Sequence, residues 1–101
     1  MATASLRFRP PSGADVTQIL RSDTSSEFLP ANADRRGATI ENAAPGPLFV
    51  RYGGTASPSD YSVKLPPWAS FEVPFPSYTG QIVGVWASAG SGQAMVTEVL
   101  Q

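Results

Sequence analysis

Proline and glycine recur so closely along this chain that long helices are excluded over most of its length. There are ten prolines and nine glycines, and beyond Pro30 they leave uninterrupted pieces of roughly four to eight residues, the length of strands. Proline removes a backbone donor and clashes inside a helix, and glycine there costs about 1 kcal/mol relative to alanine. The pieces between the breaks are rich in Val, Ile, Thr, Phe, Tyr and Trp, which suit a pleated, half-buried surface.

Several pieces alternate with period two. In Ala38–Asn42, Ala38 and Ile40 fall inward, and Thr39 and Glu41 outward. Leu48, Val50 and Tyr52 share one face of the next piece, and Phe49 and Arg51 the other. Asp60–Leu65 sets Tyr61, Val63 and Leu65 against Ser62 and Lys64, and Pro66-Pro67 ends it. Phe71 and Val73 point inward around Glu72. Gln81–Ala87 is apolar on both faces, as a strand covered from both sides would be. Its Gly84 marks a bulge or a close backbone approach. Ser88–Gly92 makes a tight connection into a last strand, Gln93–Leu100. Asp15–Leu20 reads as a strand or a short helical turn, with Val16, Gln18 and Leu20 on one side and Thr17 and Ile19 on the other.

Strands spaced ~8–12 residues apart, with turn signals between them, predict an all-β fold. The expected form is a small antiparallel β-sandwich or barrel of jelly-roll or immunoglobulin-like size. The strand pattern is weakest at the start. Residues 1–34 are therefore expected to be an N-terminal arm, extended or partly ordered, and residues 35–101 the β-domain. An extended arm of that length would reach on the order of 100 Å, enough to cross onto a neighbouring subunit; a partly disordered terminus is the alternative. Its apolar residues Leu6, Phe8, Val16, Ile19, Phe28 and Leu29 are the candidate contacts to such a neighbour.

Charge limits the partners. Charged residues are 15% of the chain and the net charge is −1, against ~25% charged residues in an ordinary domain. With seven Lys and Arg against eight Asp and Glu, no broad basic face is available for nucleic acid. Arg7, Arg9 and the pair Arg35-Arg36 read as solvated charges or contacts to a neighbouring protein. A surface covered by Ser, Thr, Gly, Pro and Ala suits protein–protein contact instead. No export signal is visible at the N-terminus, and the long uncharged run from Val73 to Val96 is broken too often to span a membrane. The expectation is a soluble protein made in the cytoplasm, with no membrane partner.

Chemistry is similarly confined. Without histidine or cysteine there is no imidazole base, no thiol nucleophile, no thiolate metal site and no disulfide. A carboxylate pair is what remains, and Glu41, Glu72 and Glu98 each sit in an expected strand, where they read as outward-facing residues. The segments Tyr52–Ser57 and Ser88–Ala94 contain glycine pairs but lack the lysine and helix start of a phosphate loop, so they read as turns. Asn32 and Asp34 are too few for a calcium loop. The expectation is no enzyme, no cofactor and no metal. Trp86 belongs to the core. Trp68, after Pro66-Pro67, is either a contact anchor or a lid over one end of the core, and Tyr78 is a turn aromatic with the same two readings.

Spread over residues 35–100 is a pattern that resembles small proteins encoded in tailed bacteriophage and prophage genomes. An Arg-rich entry, Arg35 and Arg36, leads into a strand with Ile40 and Asn42. A strand ending at Gly53 precedes Ala56 and Ser57. Tyr61, Val63 and Leu65 run into a proline turn, followed by Glu72 and Pro74, and Tyr78, Gly80, Gly84, Trp86, Thr97 and Glu98 close the run. The resemblance implies a virion structural protein, a capsid decoration or cement subunit on the outside of the head. Its implied partners are the major capsid protein and further copies of itself, as a trimer. A tail, fibre or adaptor module for host-surface binding, with Trp68 and Tyr78 on carbohydrate, is the alternative.

Overall fold

The alternating pieces become strands, and they pair in a nested order. The computed structural model describes residues 13–74 and 78–100. Among them are eight strands: β1 Gly13–Leu20, β2 Ser26–Leu29, β3 Arg35–Ala43, β4 Leu48–Tyr52, β5 Val63–Leu65, β6 Ser70–Glu72, β7 Ile82–Trp86 and β8 Gln93–Leu100. First pairs with last, second with seventh, third with sixth and fourth with fifth, all antiparallel. The chain thus folds as one long hairpin rolled upon itself. Two further ladders, β3 with β8 and β4 with β7, close it into two four-stranded sheets ordered β1-β8-β3-β6 and β2-β7-β4-β5. Eight strands wound in this way make a jelly roll, a form of the expected β-sandwich.

The core lies between the sheets. Ala38, Ile40, Ala94 and Val96 from the first sheet meet Phe28, Leu48, Val50, Ile82 and Trp86 from the second. The inward positions of β3 and β4 are those the alternation gives. Sheet β2-β7-β4-β5 is also covered on its outer face, where Phe49, Val83 and Val85 pack with Ala56 of the β4–β5 connection. Gly53 and Gly54, at φ 79° and 75°, turn the chain into that connection through a region closed to most side chains. All five residues of β7 are buried as a result.

Gly84 accommodates a side chain. The register of β2 on β7 slips between Glu27 and Leu29, so Phe28 is the extra residue of a β-bulge, and its ring lies where a Gly84 Cβ would be, 2.5 Å from the phenyl Cζ. Close approach and bulge therefore occur together, on facing strands.

Residues 13–34, expected to belong to an arm, are part of the β-domain. β1 pairs with β8 over its full length and β2 pairs with β7, so both belong to the sandwich. Phe28 and Leu29 are buried in the protein's own core and Ile19 packs against it; of the expected arm contacts, Val16 alone is exposed among the described residues. Leu6 and Phe8 lie outside the described residues. The sequence missed this because β2 is only four residues long and pairs with a strand far away in the chain. Tyr61 also departs from expectation. It precedes β5, whose ladder starts at Val63, and its ring meets Phe49 on the outer face at 5.0 Å, away from Val63 and Leu65.

Candidate functional site: a displayed tryptophan and its internal scaffold

Asn42 stands at the end of β3 that faces the β5–β6 turn, and it is fully buried. Its Nδ2 donates to the carbonyls of Gly46 at 2.9 Å, Leu65 at 3.1 Å and Pro66 at 3.1 Å. Its Oδ1 accepts from Trp86 Nε1 at 3.1 Å. A buried amide with every polar atom satisfied is worth keeping, since orphaning one such group costs about 1–3 kcal/mol. One side chain therefore ties together the β3–β4 turn, the end of β5 and the central strand of the opposite sheet.

The main chain of Asn42 continues the same work. Its N–H donates to Ala69 O and its C=O accepts from Trp68 N–H, both at 2.8 Å, while Ala69 N–H donates to Pro66 O at 3.2 Å. The turn Pro66-Pro67-Trp68-Ala69 is thus fixed from both sides. Within it Trp68 has φ 67°, a left-handed conformation that costs an L-residue about 1–2 kcal/mol. Trp68 is 66% exposed. Of the two readings of Trp68, a lid over the core is excluded by that exposure. The hydrogen bonds around Asn42 hold a bulky aromatic in an unfavourable backbone conformation and present it to solvent on a rigid base.

A second buried polar group organises the other end of β3. Arg35 is buried, and its Nε donates to Glu98 Oε2 on β8 at 2.8 Å. Its remaining nitrogens donate to the carbonyls of Tyr78 and Gly80 at 2.7 and 2.9 Å and of Pro30 at 2.6 Å. This corrects two expectations: Arg35 is not a solvated charge, and Glu98 faces inward. An arginine fork can satisfy several acceptors at once, so the pair fastens the β2–β3 and β6–β7 connections to β8. Glu41 and Glu72 do point to solvent, with Glu72 opposite Thr39 and Glu41 opposite Ser70 on the outer face of the first sheet.

Tyr78 belongs to this end. It is half-buried and its ring stacks on Tyr52, with centroids 5.1 Å apart; burial pushes the Tyr52 phenol above its ordinary pKa. Trp68 hydrogen-bonds beside Asn42 and Tyr78 beside Arg35. Seven residues of extended strand, on the order of 20 Å, separate those two anchors. The fold does not bring the two loop aromatics together. Asn32, the other notable polar residue of this end, uses Oδ1 to accept from Asp34 N–H at 3.0 Å, as a turn cap.

Among the described residues, no cluster of three or more acidic side chains could hold a metal ion, and no helix is long and apolar enough to cross a membrane. Asn42 and Arg35 were visible in the sequence, but nothing local marked them as buried hubs. The chain matches no family model, no curated protein and no solved structure.

Proposed function

We propose that the chain is a structural protein of a phage virion, a decoration or cement subunit on the outside of the capsid, made in the host cytoplasm. It acts by binding the major capsid protein and catalyses no reaction. The observation that carries this reading is Trp68: a large, exposed aromatic in a strained conformation, on a turn held by the main chain of Asn42. Tryptophans of this kind dominate binding energy at protein interfaces. The buried polar residues support the same reading, because Arg35, Glu98 and Asn42 are consumed in fastening loops. The jelly roll is shared with viral capsid and lectin domains, a likeness of fold alone.

Quantitative mass spectrometry of virions from the strain that encodes the chain tests this. Hundreds of copies per particle, lost when Trp68→Ala protein replaces the parent, are expected. A dozen or fewer copies would move the chain to the tail or fibre, and absence from the particle would overturn the reading. The exposed Trp68 also suits stacking on sugar, which keeps the host-surface module as the second reading.

A further inference from the structure

Each sheet of the sandwich ends in two edge strands, and three of the four edges are blunted. β5 and β6 are three residues each and are separated by Pro66-Pro67. β2 has four residues, carries the Phe28 bulge and stops at Pro30. Short strands, bulges and prolines are the usual means of preventing edge-to-edge pairing. β1 has none of them. It runs for eight residues in unbroken register with β8 and contains one charge, Asp15.

Its open side can be read residue by residue. Arg21 N–H donates to Gly92 O at 3.1 Å, continuing the ladder in which Leu20 faces Gln93. Backbone groups of an antiparallel strand alternate sides. Odd-numbered residues therefore point their N–H and C=O toward β8, and Ala14, Val16, Gln18 and Leu20 point theirs to the other side, where no described strand pairs with them. Val16 and Leu20 are 61% and 70% exposed, two of the four exposed large hydrophobic residues among those described.

We propose that β1 pairs antiparallel with β1 of a second copy, about a two-fold axis at Gln18. In this register Val16 lies opposite Leu20 of the other copy, twice, and Thr17 opposite Ile19. About six main-chain hydrogen bonds form between the copies, through Val16, Gln18 and Leu20 of each. The register is singled out by its contents. A shift of the axis to Thr17 places Val16 against Gln18, and a shift to Ile19 places Leu20 against Gln18 and Val16 against Ser22. Such a contact is isologous and closes at two copies, in place of the threefold assembly that the phage resemblance implies. The pairing stands independently of the virion reading.

The full chain provides the test, because it has no cysteine and a single introduced thiol reports one position. Antiparallel hydrogen-bonded partners lie about 5.5 Å apart at Cα, inside the range of a disulfide, whereas positions two residues out of register exceed about 7 Å. Gln18→Cys is expected to oxidise to a covalent dimer, and Thr17→Cys to remain uncrosslinked. Sedimentation velocity should show a dimer for the parent. Val16→Lys and Leu20→Lys should each weaken it at least tenfold without lowering the melting temperature of the monomer. A parent that sediments as a monomer at hundreds of micromolar or as a trimer would overturn the proposal. So would a dimer indifferent to both lysines, or crosslinking through position 17 rather than 18.

Discussion

Replacing Asn42 by aspartate alters little but the identity of one atom, and the structure says which bonds it breaks. The oxygen facing Trp86 Nε1 is retained. The nitrogen that donates to Gly46, Leu65 and Pro66 at 2.9, 3.1 and 3.1 Å becomes an oxygen facing three carbonyl oxygens in a site with no solvent exposure. At neutral pH this is an uncompensated buried charge, at a cost of about 3–5 kcal/mol. A domain of this size is held by roughly 5–15 kcal/mol, so a large share of its stability would go. Acidification should restore part of it. Burial and the surrounding carbonyls raise the pKa of the introduced carboxyl in the folded protein above its ordinary ~3.9. The folded variant then holds its proton more tightly than the unfolded chain does. Relative to the parent at the same pH, the penalty is full above the raised folded pKa and shrinks as pH falls toward the ordinary value. Once protonated, the carboxyl regains one O–H donor, leaving a residual of about 1–2 kcal/mol. Urea unfolding of parent and variant, at about pH 7 and again near pH 4, measures both numbers, and groups common to the two proteins cancel in the difference. An Asn42→Asp protein as stable as the parent at neutral pH, or a penalty that does not change with pH, would refute the assignment of Asn42 as a buried donor hub.

The Arg35–Glu98 pair and the strained turn give further outcomes. Arg35→Met should lower stability by about 3–5 kcal/mol, because Glu98 is left as an uncompensated buried charge. Adding Glu98→Leu should recover part of that loss, and guanidinium titrations showing the double variant no better than the single one would contradict a buried pair. At position 68, Gly and Ala both remove the indole and differ at the left-handed φ only by a Cβ. Trp68→Gly is therefore expected to be the more stable by about 0.5–1 kcal/mol, after the greater chain entropy of glycine is counted. For a domain of this size each kcal/mol is worth about 4–8 °C in Tm, so a calorimetric scan resolves the sign, and an alanine variant that melts higher would exclude the left-handed turn.

Such contrasts also mark the line between what is legible in residues and what is not. Period-two patterning placed Ala38, Ile40, Leu48, Val50, Phe71 and Val73 on their faces, and the apolar run at β7 announced a strand covered on both sides. These are local properties: a strand repeats every two residues whatever it pairs with, and proline and glycine break it wherever they occur. Trp68 after two prolines was legible as a turn aromatic, though its exposure was not.

The winding of the roll, the membership of β1 and β2 and the burial of Arg35 and Glu98 were decided only in three dimensions. Each depends on a partner far away in sequence: Arg35 reaches Glu98 across 63 positions, and Trp86 reaches Asn42 across 44. An arginine next to a second arginine carries no local sign that four acceptors await it, and Gln93–Leu100 does not say which of its alternating faces will be enclosed. The composition alone determined that this chain would be sheet-forming and without imidazole or thiol chemistry. The closing of one long hairpin onto itself determined which polar residues became scaffold, which tryptophan was left facing solvent and which strand kept an open edge.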